Sequence, residues 1–197
     1  MELNMIDSKW FEAWGESIGA SSLGLEMSEN SRLKGRLCAR LMTLHGIDSN
    51  IQLPQEDMQA LTVFGSNRER LKTISGLVML GDYLRKQITR EDFATIGDSF
   101  ASDDLRIALQ LLDFSAPFEG ANIDSSRIVE LTERLGEQCI AAWKLNASDD
   151  LAKHISLIDP NQDNADKVEL NQKHASAIIK AVSIQLSQNL QISETRN

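Results

Sequence analysis

The sequence predicts an all-α protein, a single compact orthogonal or irregular bundle of about eight to nine helices. Apolar residues recur at three- and four-residue spacing along most of the chain, which is the periodicity of an amphipathic helix. No convincing run alternates apolar and polar residues with a period of two, so a sheet is not expected. Capping-type residues (Ser, Asp, Asn and Gly) stand between the periodic segments, where helices begin and end.

Length and composition indicate one domain, or one domain with a small appendage. The chain has 197 residues, of which 42% are hydrophobic and 25% charged, and this is enough to bury a core without disulfides or metal. We expect one helical domain over residues 1–192, with a frayed tail at 193–197.

Charge and hydropathy exclude several classes of function. The net charge of −9 disfavours general binding to nucleic acid or to an anionic membrane, since both need a positive field. There is neither a basic, apolar leader in the first ten residues nor a run of about 18 apolar residues, so neither a signal peptide nor a membrane span is expected. Cys38 and Cys139 lie inside predicted helices, as buried thiols of a protein in a reducing cytoplasm would.

The first 66 residues predict three helices. Asp7 or Ser8 caps a helix that carries Trp10, Phe11, Trp14 and Ile18, and a Gly/Ser loop follows over Gly19–Gly24. Asn30 or Ser31 caps the second helix, which Gly46 ends, with one apolar stripe of Leu33, Leu37, Leu41 and Leu44. After a connector at Ile47–Leu53, Pro54 starts a short helix through Met58 and Leu61. Gly65 ends that helix and Ser66 caps the next.

The stretch Arg68–Leu112 predicts the core hairpin of the protein. Its first helix is apolar nearly all round, which is typical of a buried central helix: Leu71, Ile74, Leu77, Val78, Met79, Leu80 and Leu84. Small residues at Ser75, Gly76 and Gly81 indicate that neighbouring elements come close to this backbone.

Between this helix and residue 160 we expect four further segments. A helix begins at Thr89, with Asp92 in its first turn, turns Phe93 and Ile96 inward and ends at Gly97. The motif ASDDL then occurs twice, at 101–105 and 147–151, and predicts Ser102 and Ser148 as N-caps. The first copy opens a helix that Pro117–Gly120 breaks, with a face of Leu105, Ala108, Leu109 and Leu112. Asp124 or Ser125 opens a long helix with Ile128, Leu131, Leu135, Cys139 and Trp143 inward, and the second copy opens a helix that ends at Ile158, before Pro160.

A polar loop at Asn161–Asp166 leads to a last amphipathic helix, and its apolar stripe consists of Ala175, Ile178, Val182, Leu186 and Leu190.

Residues able to do chemistry are few. His45 stands at a predicted helix end, and His154 and His174 lack metal-ligand spacing. The acidic pairs Asp103–Asp104 and Asp149–Asp150 are first-turn acids that suit the helix dipole. No phosphate-binding loop, dinucleotide fingerprint or nucleophile elbow occurs. We therefore expect no catalytic, cofactor-binding or metal-binding residues.

Two features are candidates for partner binding. Trp10 and Trp14 share one helix face at i, i+4, where they either anchor a partner or dock the first helix onto its own core. The segment RLKGRLCAR places Arg32, Arg36 and Arg40, with Lys34, on one helix of an acidic chain. This cluster faces either an acidic partner or only solvent.

The central stretch resembles the SctK family of type III secretion sorting-platform proteins, which includes YscK, PscK, MxiK and OrgA. The family pattern reads here as Leu71, Gly76-Leu77-Val78, Gly81, Arg85-Lys86 and then Leu105-Arg106. CIAAWKLNASDDLAKHISLIDP and HASAIIKAVSIQL are similar to later helices of the family, so the likeness covers roughly Pro54 to Leu190. The first 50 residues match less well, because many members begin with an aromatic-Pro-Tyr segment that has no counterpart here.

The resemblance implies a non-enzymatic adaptor at the cytoplasmic face of the inner membrane. Such a protein joins the cytoplasmic domain of the ring protein SctD to the SctQ pods, in a platform that also contains SctL and the SctN ATPase. Neither nucleic acid nor direct membrane insertion is implied. Two alternatives remain: a small helical cytoplasmic chaperone or regulatory binding protein, and an enzyme whose site is assembled from scattered acids and histidines.

Overall fold

The computed structural model describes residues 6–47, 52–86, 96–115, 127–160 and 170–194. All regular structure in these ranges is helical, as the periodicity predicts. Ten α-helices and one 3-10 helix have bounds within the described residues, and residues 96–99 add a helical turn. The chain groups into two compact units. The first consists of Met1–Ser66 and Ala147–Asp163, the second of Asn67–Asn146 and Asn164–Asn197.

The first unit combines four helices from the start of the chain with one from residue 149 onwards. They are α1 (Ser8–Ser17), α2 (Ser21–Glu29), α3 (Ser31–Leu44), α4 (Gln55–Ser66) and α9 (Asp149–Ile158). A cluster centred on α1 and α3 forms its core, with Ile6, Phe11, Leu37, Cys38 and Leu41 buried.

Local capping explains three of the helix starts in this unit. Asp7 accepts a hydrogen bond from the backbone N–H of Lys9, and Asn30 accepts one from that of Arg32. Ser148 caps α9 through the N–H of Leu151, as expected. The end of α3 is also as predicted, since Gly46 takes a positive φ of 63° that glycine adopts without strain.

The predicted Gly/Ser loop at Gly19–Gly24 is wrong, because α2 begins at Ser21. Gly24 lies inside that helix against the backbone carbonyl of Phe11 on α1. A side chain there would collide with α1, so the glycine serves close helix packing and not a turn. Helix propensity alone could not reveal this, since tertiary contacts offset the cost of glycine.

The predicted boundary between α4 and α5 is also wrong. Gly65 does not end α4, which continues through Ser66. The Ser66 hydroxyl donates to the carbonyl of Thr62 within its own helix, and Asn67 takes the N-cap position of the next helix without a side-chain cap bond.

The second unit is built around α5 (Arg68–Met79), which is buried at Leu71 and throughout Ile74–Met79. The other elements are α6 (Gly81–Lys86), α7 (Ser102–Gln110), the 3-10 helix (Leu112–Phe114), α8 (Ile128–Leu145) and α10 (Gln172–Glu194). Helices α7, α8 and α10 all contact α5, so its central position is confirmed, although the helix ends at Met79 and Leu84 lies on α6. Its most extensive contact is with α8, which lies outside the predicted hairpin.

The small residues of α5 and α6 permit the close approach that the sequence indicates. Gly76 lies against the backbone of Thr132 on α8, and Gly81 lies against the side chains of Leu112 and Ser115. A β-carbon at either position would collide with these atoms.

The two ASDDL copies behave differently. Ser102 is not an N-cap, because α7 already includes it and Ala101 occupies the cap position. In the same copy Asp104 is buried and binds Arg70 of α5, with its Oδ1 2.5 Å from Nη2 and 3.0 Å from Nε.

Several predicted apolar stripes need adjustment at their edges. Leu44 is 57% exposed and Leu109 37% exposed, so neither belongs to a buried face. Leu41 and Met42 are the last residues of α3 that belong to the core cluster or pack against it. Leu44, at the end of the helix, faces solvent. On α7 the buried face instead includes Ile107.

The inward stripes of α8 and α10 are mostly confirmed. Ile128, Cys139 and Trp143 are buried on α8, while Leu131 and Leu135 are half-buried. All of the described side chains predicted for the stripe of α10 are buried, namely Ala175, Ile178, Val182 and Leu186. The helix continues through Glu194, beyond the expected end at Ile192.

Some expectations lie outside the described residues. They are the helix start at Thr89 with Asp92 and Phe93, the break at Pro117–Gly120, the cap at Asp124 or Ser125, the loop at Asn161–Asp166, the Leu190 side chain and the last three residues of the tail. The expectation of a single domain over residues 1–192 stays a prediction.

Candidate functional site

The five residues predicted to bind a partner all lie in the first unit. Trp10 and Trp14 are on α1, and Arg32, Arg36 and Arg40 are on α3. The two groups differ in their surroundings, because the tryptophans pack against the core cluster while the arginines are exposed.

Trp10 is held by its own chain. Its indole N–H donates to the backbone carbonyl of Ser156 on α9 at 3.1 Å. Its ring meets the His45 ring edge-on, with centroids 4.2 Å apart and planes at 75°. The neighbouring Asp7 N–H also donates to Leu157 of α9, so Trp10 belongs to a joint between α1 and α9. Trp14, one turn later, is half-buried against the same cluster.

The arginines form one exposed stripe at four-residue spacing. An α-helix rises about 6 Å over four residues, so Arg32, Arg36 and Arg40 span about 12 Å on one side of α3. The opposite side carries Leu37 and Leu41 of the core. Within the described part of the chain, none of these three guanidinium groups lies within ion-pair distance of a carboxylate.

The exposed surface of α3 extends beyond the three arginines. Leu44 follows Arg40 by four residues and is exposed, so it adds an apolar residue one turn beyond the last arginine. Gly35 and Ala39 lie exposed beside the arginines, and a β-carbon added at Gly35 would meet no atom within 4 Å. We call Arg32, Arg36, Arg40, Leu44, Gly35 and Ala39 the arginine face. A helical-wheel projection places Leu44 nearer to Leu37 than to Arg32, so the spacing alone predicts burial and cannot show that the core stops short of Leu44.

The histidines have separate local surroundings. His154 is buried, and its Nδ1 lies 2.7 Å from the Asp150 carbonyl one turn earlier on α9. His45 lies against Trp10, and His174 is half-buried on α10 of the second unit. Among the described residues, no group of three His, Cys, Asp or Glu side chains could hold a metal ion.

Lys72 and Cys139 of the second unit have shifted pKa values. Glu69 raises the pKa of Lys72 through a hydrogen bond and through its charge; burial opposes this, and Glu137 and Glu133 of α8 reinforce it. Burial alone raises the pKa of the Cys139 thiol to about 12, so the thiol stays protonated near neutral pH. Both shifts accompany packing of α5 and α8 within the core.

Comparisons with protein-family models, with curated proteins and with solved structures found no match. In the described part of the chain, no helix combines the length and the hydrophobicity that crossing a bilayer requires. The arginine face has a distinct chemical character within the described part of the chain. It offers three cations in a row beside small residues, with an apolar end.

Proposed function

We propose that this chain is a non-enzymatic adaptor of a bacterial type III secretion system. It acts at the cytoplasmic face of the inner membrane, where it links the cytoplasmic domain of the ring protein SctD to the SctQ pods of the sorting platform. SctL and the SctN ATPase belong to the same platform. The resemblance of Arg68–Leu112 to the SctK family is the single observation that carries this proposal.

The positions of the motif residues support this use of the resemblance. Gly76, Leu77 and Val78 are buried on α5, and Gly81 is buried at the start of α6. Residues with such roles specify how helices pack and do not bind a ligand. On this proposal the motif belongs to the scaffold, and the contacts to partners lie on exposed surfaces such as the arginine face.

Co-purification tests the proposal directly. The tagged full-length chain, expressed at its native level, should retain both SctD and SctQ, while a tagged unrelated cytoplasmic domain should retain neither. Recovery of neither protein, with one exported protein in their place, would reject the adaptor and favour the chaperone alternative.

A further inference from the structure

The arginine face carries positive charge that α3 itself does not neutralise. The sequence Ser31–Leu44 contains no Asp or Glu, and the nearest preceding acid is Glu29. Elsewhere in the described structure arginines commonly lie near carboxylates: Arg70 with Asp104, Arg85 with Asp113, Arg106 with Asp103 and Arg127 with Glu130. On α3 the same side-chain type is left facing solvent.

This arrangement is unfavourable for an isolated helix. Arg32 and Arg36 repel each other at i, i+4, as do Arg36 and Arg40. Arg32 also lies in the first turn of α3, where the helix dipole disfavours a cation. A local conflict of this kind, in a chain with net charge −9, is typical of a surface whose charge is used by a partner.

We propose that the arginine face binds an acidic amphipathic helix of a partner protein. This deepens the adaptor proposal and rests on it for the kind of partner. The bound helix would carry carboxylates at four-residue spacing, because their rise of about 6 Å per four residues matches that of the arginines. An apolar side chain one turn beyond them would cover Leu44.

Two features select a protein helix over a polyphosphate or a lipid surface. Gly35 and Ala39 leave room for a second helix backbone beside the arginines. Leu44, 57% exposed one turn beyond Arg40, needs an apolar counterpart that a phosphate backbone lacks. The net charge of −9 also repels nucleic acid and anionic membrane at longer range, whereas a short acidic helix meets mainly the local positive stripe.

A peptide-binding assay with the full-length chain tests the inference. The probe is a labelled helical peptide of about 20 residues, with Glu at four-residue intervals and Leu one turn beyond the last Glu. Wild-type protein should bind it, with an affinity that falls as salt is added. The double variant Arg36→Glu/Arg40→Glu should bind about tenfold or more weakly, because two attractions become repulsions.

The matched control carries the same charge change on the second unit. Arg127→Glu/Arg134→Glu alters two exposed arginines at α8 and should retain wild-type affinity. A peptide with Lys in place of Glu should not bind. Thermal melting should show both double variants folded as the wild type is.

Several results would overturn the inference. These are equal peptide binding by both double variants, no binding by the wild type, or lower thermal stability of Arg36→Glu/Arg40→Glu with binding intact. Wild-type binding to anionic vesicles or duplex DNA in preference to the peptide would assign the face to another class of partner. Self-association that this variant abolishes would assign it to a second copy of the chain.

The peptide assay contains no secretion protein, so the two proposals can fail separately. Unchanged capture of SctD and SctQ by Arg36→Glu/Arg40→Glu would reject the arginine face as the docking surface and leave the adaptor standing. Peptide binding that depends on these arginines, without capture of SctD or SctQ, would reject the adaptor alone.

Discussion

Gly76 on α5 and Gly136 on α8 occupy reciprocal positions. Gly76 lies against the backbone carbonyl of Thr132, and Gly136 lies against that of Lys72. Thr132 precedes Gly136 by four residues on α8, and Lys72 precedes Gly76 by four residues on α5. The two helices therefore run antiparallel at this contact. Because both residues lack a β-carbon, the two backbones come into contact here. Among the described glycines of the second unit, these two mark the closest approach to a neighbouring backbone.

We therefore expect Gly136→Ala to destabilise the protein by about 1–3 kcal/mol or more, because the added methyl group forces α5 and α8 apart. Gly35→Ala on α3 is the matched control. Its β-carbon would enter open space, and the gain in helix propensity should stabilise the fold by about 0.5–1 kcal/mol. Chemical denaturation of both variants measures the difference. Equal stabilisation by the two alanines would contradict the close contact.

Leu77 tests the central position of α5. It is fully buried, so Leu77→Asp should place an unpaired charge in the core and cost several kcal/mol, enough to unfold the domain. The corresponding change at the partly exposed Leu109 of α7 should leave a folded protein. Circular dichroism with thermal melting separates the two outcomes. A cooperatively melting Leu77→Asp variant would refute the assignment of α5 as the buried central helix.

Trp10 tests whether the first helix anchors a partner or its own core. Trp10→Phe removes the indole N–H that binds Ser156, so we expect a loss of about 1 kcal/mol of stability. Trp14→Phe should cost less, since no described residue accepts a hydrogen bond from its indole. Urea denaturation gives both values. Unchanged stability of Trp10→Phe together with lost capture of SctD or SctQ would instead identify Trp10 as a partner anchor.

Cys139 predicts a dependence of stability on alkaline pH. Its folded pKa of about 12 lies above the value of about 8.5–9 expected in the unfolded chain, so the fold favours the neutral thiol. The contribution of the neutral thiol to the free energy of unfolding is fully present below about pH 8.5 and is lost as the pH rises through the folded pKa. The stability of wild type should therefore fall more steeply between pH 9 and 11 than that of Cys139→Ala. Other groups that titrate at alkaline pH affect both proteins equally. Parallel curves for the two proteins would show that Cys139 ionises freely in the fold.

The two buried cysteines also allow the opening of each unit to be measured separately. Cys38 is buried in the first unit and Cys139 in the second. In Cys38→Ala and Cys139→Ala variants the remaining thiol should react with a thiol reagent only after opening of its own unit.

Periodicity and capping predicted much of the local structure because both act over a few residues. The caps at Asp7, Asn30 and Ser148, the left-handed Gly46 and the apolar stripe of α10 depend on neighbours within about one or two turns. The burial of Leu77 follows from the second half of α5, Ile74–Met79, which contains no charged residue. These features were therefore accessible from the sequence without knowledge of the fold.

The candidate site could be predicted from the sequence only in part. Arg32, Arg36 and Arg40 share a face by spacing alone, whereas the exposure of Leu44 depends on where the core cluster ends. The spacing of Trp10 on α1 likewise cannot show that Ser156, distant along the chain, accepts its N–H.

By itself, then, the sequence determined the helical class, the N-caps of α1, α3 and α9 and the spacing of the positive stripe, since these follow from local chemistry. Tertiary structure alone decided which of several similar residues acquired a special environment. It buried Asp104 against Arg70 but left Asp150, its counterpart in the second ASDDL copy, partly exposed, and it brought Gly136 onto the α5 backbone. Contacts between residues far apart in the chain produce these differences, and no periodicity within one helix contains them.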